Sequence, residues 1–160
     1  MELLIRQAVA RDAAAIGAVH AQSWREAYAG ILSPRWIARV SARERTARWR
    51  RILAGPQPEG TWVAVADGTI VGFASAGPAR DDDPPRPLEL WSLYLLESHQ
   101  GLGIGRALVE TAIGDRPAYL NVLRDNDRTI GFYRRMGFEP DGHTGTLSYW
   151  EDVADIRMVR

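Results

Sequence analysis

The sequence contains neither cysteine nor lysine. Without cysteine there is no disulfide, no thiolate metal site and no cysteine nucleophile. Without lysine there is no Schiff-base chemistry and no phosphate-loop lysine. Every basic side chain is arginine, and 20 basic residues face 20 acidic ones for a net charge of zero. A dedicated nucleic-acid binder usually carries a basic excess, so no nucleic-acid partner is expected. Apolar runs are too short to cross a bilayer. The N-terminal stretch MELLIRQAVARD lacks the basic-then-apolar order of a secretory signal, so the expected location is cytoplasmic, away from membranes. The 3 histidines are scattered. They do not form a metal-ligand spacing, and no metal is expected.

What is present suits one globular domain over residues 1–160. The chain is 46% hydrophobic and 25% charged, ordinary values for a folded protein. A chain of this length buries roughly 70% of its unfolded surface, enough for a core without covalent staples.

Local patterns predict an alternation of strands and helices. Residues 3–9 (LLIRQAV) read as a strand. Asp12 is placed to cap a helix running to about Tyr28, with Ile16, Val19 and Trp24 near one face. Ser33-Pro34 starts a second helix that reaches about Leu53. Strands 61–66 and 69–77 flank Asp67-Gly68, a strong hairpin signal. Residues 78–87 form a proline-rich acidic loop. Residues 88–96 (LELWSLYLL) are nearly continuously apolar and read as a strand buried on both faces. A glycine-rich turn opens a helix over about 103–113. Residues 117–123 form a strand, Asp125 and Asn126 cap a helix to about Met136, and a short strand and a last strand within 146–160 follow. The order β-α-α-β-β-β-α-β-α-β-β predicts a mixed sheet carrying four helices.

The stretch that carries chemistry is Leu95 through Leu108. A strand runs into Gln100-Gly101-Leu102-Gly103-Ile104-Gly105-Arg106 and then into an amphipathic helix. Glycine lets backbone approach a ligand closely. A helix start presents unpaired N–H groups and partial positive charge, which together suit a pyrophosphate. The dinucleotide fingerprint G-x-G-x-x-G fails, because Arg106 stands at its third glycine. The pattern that fits is Q-x-x-G-x-G, formed by Gln100, Gly103 and Gly105. About 20 residues on comes Asn126-Asp127-Arg128-Thr129-Ile130-Gly131-Phe132-Tyr133-Arg134-Arg135-Met136-Gly137-Phe138.

These two motifs, in this order and spacing, resemble the GNAT superfamily of acyl-CoA-dependent N-acetyltransferases. The first matches its pyrophosphate loop. The second matches its N-x-x-A-x-x-F-Y-x-x-x-G-F helix and turn, with Thr129 where the family usually has alanine. The resemblance covers essentially the whole chain. It implies an α/β fold (α+β by some conventions), with a largely antiparallel sheet of about seven strands. It implies acetyl-CoA as co-substrate and an acetyl transfer to a primary amine of a small molecule or peptide. The transfer would be a direct attack within a ternary complex. A catalytically silent acyl-CoA sensor and a protein N-terminal acetyltransferase are the alternatives; the chain would be a monomer or homodimer.

By the same resemblance, the backbone of Gly101 through Arg106 holds the pyrophosphate. The main chain of Leu93, Tyr94 and Leu95 pairs with the pantetheine arm, on a strand that splays from its parallel neighbour. Asn126 contacts the pantetheine side and Tyr133 protonates the departing thiolate. Glu89 is read two ways, as a base acting through water or as an edge charge; a bulge in its strand would swap its face. For the acceptor pocket the candidates are Ser23, Trp24 and Tyr28, on a helix whose His20, Trp24 and Tyr28 share a face. His20 is read two ways, as a solvated residue, which is preferred, or as a pocket base, and Trp24 and Tyr28 as bodies packed in the core. Seven arginines between Arg35 and Arg51 read as a solvated face whose stems cover apolar surface. Asp81-Asp82-Asp83 reads as a solvated loop. His99 reads as a turn cap, and His143 and Tyr149 lie in the last hairpin.

Overall fold

The structure, a computed structural model, describes residues 1–57, 59–147 and 151–160. Seven strands form one sheet in the order β1-β2-β3-β4-β5-β7-β6. They are β1 (Leu3–Gln7), β2 (Thr61–Ala66), β3 (Thr69–Pro78), β4 (Leu88–Leu95), β5 (Tyr119–Leu123), β6 (Glu139–Leu147) and β7 (Val153–Val159). Five α-helices connect them: α1 (Ala13–Tyr28), α2 (Pro34–Ile37), α3 (Ala42–Ala54), α4 (Ile104–Ile113) and α5 (Asp127–Arg135). Every neighbouring pair is antiparallel except β4 with β5. The architecture is the α/β arrangement expected from the sequence.

Local chemistry explains most boundaries. Asp67 and Gly68 both take positive φ, 46° and 80°, the conformation that a tight β2–β3 hairpin demands. Asn126 caps α5 by accepting the Thr129 N–H at 3.4 Å. Two expectations change. The predicted second helix is two helices, because Ser41 is extended and its hydroxyl accepts the Glu44 N–H at 3.3 Å, starting α3 afresh. That raises the helix count from four to five. Asp12 does not cap α1 with its side chain. Its carboxylate instead accepts from the Val9 N–H at 2.8 Å and pairs with Arg6 at 2.7 Å. The Arg6 hydrogen bond, more than any other influence, holds the Asp12 carboxyl below its usual range.

The core lies on both faces of the sheet. On one face α4 and α5 pack Ile104, Leu108, Val109, Ile130 and Tyr133 against β2, β3, β4 and β5. On the other, α1 and α3 set Ile16, Val19 and Trp49 against Val63 and Phe73. Strand β4 was expected to be buried throughout. Only Leu88, Glu89 and Leu90 are buried, and Trp91 through Leu95 are half-buried. The reason is that β4 pairs with β5 at one position, Glu89 with Tyr119, and the strands then part.

A bulge sits where they part. Ser75 pairs with Ser92, but Ala76 pairs with Leu90, leaving Trp91 as the extra residue. The bulge shifts parity, so Leu88 and Leu90 face the α4 core together with Leu93 and Leu95. Glu89 therefore falls on the face of Tyr94, not that of Leu93. A Cβ on Gly77 would collide with the Trp91 indole, whose Nε1 donates to the Pro78 carbonyl at 3.1 Å. Gly77→Ala should thus destabilise the fold by about 1–3 kcal/mol through overpacking. In a Trp91→Leu background the same change should cost under about 1 kcal/mol, read by urea unfolding. Equal costs in both backgrounds would rule out the clash as the cause.

Candidate active site

The parting of β4 from β5 creates a wedge-shaped gap, closed at Glu89–Tyr119 and open toward the C-terminal ends of both strands. Ligands of open sheets bind in such crevices. Beyond the pairing of Glu89, the main chain of β4 has no strand on its β5 side. Leu93, Tyr94 and Leu95 pair only with Ala74, Phe73 and Gly72 of β3.

One lip of the gap is the loop from β4 to α4. The Gln100 Nε2 donates to the Leu95 carbonyl at 3.1 Å, tying the loop to the strand end. Gly101 and Gly103 take φ of 78° and 81°, which β-carbon-bearing residues rarely adopt. A Cβ on either would meet nothing within 4 Å, so the backbone here borders open space. The first amide of the stretch to reach a carbonyl is that of Ala107, on Gly103 O at 3.0 Å. Among the described residues, the amides of Gly101 through Arg106 have no hydrogen-bond acceptor. Gly103 is the N-cap of α4, so these donors add to the positive end of a helix. Gly105 lies against Phe132 of α5. Ile104 is buried, and Leu102 and Arg106 are exposed. His99 receives or gives a hydrogen bond with the Ser98 hydroxyl at 2.8 Å.

The other lip follows β5. Asn126 is buried, and its side-chain oxygen serves as the α5 cap. Tyr133, on the buried face of α5, packs edge-on to Phe132 and Phe138. Its hydroxyl makes no hydrogen bond among the described residues. Burial pushes the Tyr133 phenol well above its ordinary value, and Tyr94 pushes the same way. Tyr94, on β4, shares a 3.2 Å hydroxyl contact with Tyr28 at the end of α1. Burial raises both of these phenols as well. Tyr28 and Tyr94 thus meet, and with Tyr133 on α5 all three phenols stay protonated at neutral pH.

Glu89 sits at the closed end and is 2% exposed. Its carboxylate accepts from the Arg80 N–H at 2.9 Å, the Arg80 Nη2 at 2.8 Å and the Tyr119 hydroxyl at 3.1 Å. The Tyr119 hydroxyl in turn accepts from the amides of Arg80 and Asp81, both at 3.2 Å. The acidic loop is therefore fastened to the strand pair, and Asp81 is drawn into ion pairing with Arg157 at 3.4 Å.

On α1, Ser23 is buried and donates to the Val19 carbonyl at 2.5 Å. Trp24 is buried with its ring edge-on to Tyr28, which is half-buried. His20 is buried, not solvated as expected. Its Nδ1 accepts from the Trp49 indole at 3.0 Å, and its ring lies 4.7 Å from that of Tyr94. Burial, aided by Arg45 and Arg48, lowers the His20 pKa to about 3. It is therefore a neutral acceptor within the core. His143 lies exposed in β6, and Tyr149 falls outside the described residues.

Sequence reading missed three features of this region. The Trp91 bulge was raised only as a possibility for the strand, and its signal is the glycine at 77 facing a tryptophan. The Glu89–Arg80 pair spans a nine-residue separation across the loop and leaves no periodic trace. The third is a surface cavity of about 360 Å³ between α1, α2 and α3, lined by arginines of the second-helix region. No helix among the described residues is long and apolar enough to cross a membrane.

The acetyltransferase (GNAT) family profile matches residues 5–138. The Bacillus subtilis protein named "Uncharacterized N-acetyltransferase YuaI" is 36% identical over 107 residues, which is 66% of this chain and 59% of that protein. The Mycobacterium tuberculosis protein named "Probable N-acetyltransferase Rv2775" is 26% identical over 164 residues, covering 96% and 88% of the two chains. Among solved structures, the PaiA N-acetyltransferase of Thermoplasma acidophilum, in complex with coenzyme A, superposes with a TM-score of 0.76. It is 25% identical over 98% of both chains.

If the open loop holds the cofactor, Gly103→Ala should lower acetyl-CoA affinity at least about tenfold, by calorimetry, while left-handed strain costs about 1–2 kcal/mol of stability. Gly142→Ala, at another left-handed and open position, should carry similar strain and leave affinity intact. Unchanged affinity in a folded Gly103→Ala would remove the loop from the site. Fold, motif and profile together place this chain in the GNAT family of acetyltransferases.

Proposed function

We propose that this protein transfers the acetyl group of acetyl-CoA to a primary amine, by direct attack with both substrates bound. The observation that carries the reading is the β4–β5 gap, with free amides on one lip and an unbonded, protonated Tyr133 on the other. In the reaction the amine nitrogen bonds to the thioester carbonyl carbon and the C–S bond breaks; the nitrogen gives up one proton to water, the sulfur takes one from Tyr133, and water returns a proton to Tyr133, so the products are the amide and the CoA thiol. No covalent enzyme intermediate is required, which suits a chain without cysteine.

The amides of Gly101 through Arg106 fit the CoA diphosphate: they are clustered donors, beside open space, at the positive end of α4. The main-chain groups of Leu93 through Leu95 that face away from β3 suit the amide groups of the pantetheine arm. An N–H on this stretch would also polarise the thioester carbonyl as negative charge develops on its oxygen. Asn126 has its Nδ2 donors left for the same arm. Tyr133 donates its proton toward the leaving sulfur. Burial raises thiol and phenol alike, so the hydroxyl remains a donor while the sulfur gains charge.

Glu89 is assigned a positioning role. Its oxygens already accept from Arg80 and Tyr119, so the proton of the attacking amine leaves through water in the open gap. Tyr28 borders the acceptor side, with Trp24 and Ser23 packed behind it.

Tyr133→Phe should lower kcat about 10²-fold, with KM for acetyl-CoA within about twofold of wild type. Thiol release from acetyl-CoA measures both, with no protein thiol to interfere. An unchanged kcat would remove Tyr133 from the acid role. Acetyl-CoA binding with no turnover across an amine panel would favour a silent sensor.

A further inference from the structure

The cavity of about 360 Å³ between α1, α2 and α3 is lined by Arg39, Arg45, Arg48 and Arg51, with Trp24 and Trp36. Its volume is that of a small-molecule pocket, not of a protein-docking surface. Its framework is braced: Arg25 of α1 donates to the Val40 carbonyl at 2.6 Å, fixing the α2–α3 corner.

The charges in this pocket are unbalanced. Arg45 is half-buried, and burial is the main influence lowering its pKa. Among the described residues, neither Arg45 nor Arg48 makes a hydrogen bond or ion pair. Arg45 lies 5.9 Å from the Trp24 ring centre and Arg39 lies 4.8 Å from that of Trp36. These contacts support the guanidinium planes but leave their N–H forks unused. Glu44 is the one acid on the wall, and it reaches no arginine within ion-pair distance among the described residues. The second cavity, about 440 Å³ beside the acidic loop, differs. There Arg157 already pairs with Asp81 and Asp141, at 3.4 and 2.7 Å. Arg45 is the half-buried guanidinium of the group, while Arg39, Arg48 and Arg51 are exposed, and Glu44 acts on Arg45 only at a distance. A partly desolvated guanidinium whose N–H fork is unused favours an anion that joins it.

The pocket also adjoins the reacting region. Arg45 lies 5.9 Å from the Trp24 ring centre, Trp24 packs edge-on to Tyr28, and the Tyr28 hydroxyl lies 3.2 Å from that of Tyr94 on β4.

We propose that Arg45, assisted by Arg48, binds an anionic group of the acceptor, a carboxylate or a phosphate carried by the same molecule as the amine. The guanidinium fork matches both groups in a paired, bidentate geometry. This inference rests on the acetyltransferase reading and names the substrate class of that site.

The test uses β-alanine, β-alaninamide and 2-aminoethyl phosphate as matched acceptors, read by thiol release. Wild type should favour the carboxylate or the phosphate over the amide at least about tenfold in kcat/KM. Which anion leads decides between the two sources. Arg45→Gln should erase that preference and leave KM for acetyl-CoA within about twofold. A second measurement needs no turnover. N-acetyl-β-alanine should bind the CoA-loaded protein at least about tenfold more tightly than its amide, by calorimetry, and Arg45→Gln should abolish the difference. Equal binding of acid and amide would overturn the proposal even if the enzyme is active on other amines. A rise in KM for acetyl-CoA that vanishes with dephospho-acetyl-CoA would assign the arginines to the CoA 3′-phosphate and likewise overturn it. Absence of turnover with intact anion preference in binding would count against the transfer reading alone.

Discussion

Everything that matters for chemistry depends on β4 and β5 meeting at one residue pair and then separating. Had they stayed paired, the main chain of Leu93 through Leu95 would be spent on the sheet. Had they never met, the loop after β4 and the helix after β5 would not face one gap. The single contact, Glu89 with Tyr119, is reinforced by side chains: the Glu89 carboxylate, the Tyr119 hydroxyl and Arg80 form one hydrogen-bonded group. Glu89 is buried while Arg80 is exposed, so removing a partner leaves a buried carboxylate short of a donor, a destabilising change softened by the water that reaches Arg80. The position that invites reading as a catalytic base is thus also the hinge pin of the gap.

The two faces of the sheet carry different chemistry. On the α4–α5 face lie the amides of the loop before α4 and the Tyr133 hydroxyl. On the α1–α3 face, neutral His20 and Trp49 close the core beneath Tyr94, and arginines line the wall above. The gap is where the two faces communicate, through Tyr28, Tyr94 and Tyr133. The Trp91 bulge contributes by setting which residues of β4 look toward which face.

Much of this was legible in the sequence, and the legible parts share a cause. The Asp67-Gly68 turn, the Gln100–Gly105 loop, the Asn126 cap and the position of Tyr133 are local, encoded within a few residues. The helix break at residues 38–41 was also local, in Ser41-x-x-Glu44, but the proline start at Ser33-Pro34 masked it. What stayed hidden is long-range. Burial of His20 depends on Trp49 from another helix, and the Glu89 pairing depends on how the acidic loop folds back. The arginines were read as a solvated face. That holds for Arg35, Arg39, Arg43, Arg48, Arg50 and Arg51, which are exposed, but Arg45 turns inward because α1 and α2 wall a cavity around it.

The central claim is that the β4–β5 gap is the acetyl-CoA site. Hydrogen–deuterium exchange with and without acetyl-CoA tests it most directly, since both lips are made of backbone amides. Slowed exchange at residues 91–95 and 101–106, with β1 and β2 unchanged, is the expected result. Saturating acetyl-CoA with no protection on either lip, or with protection confined to another face, would contradict the account.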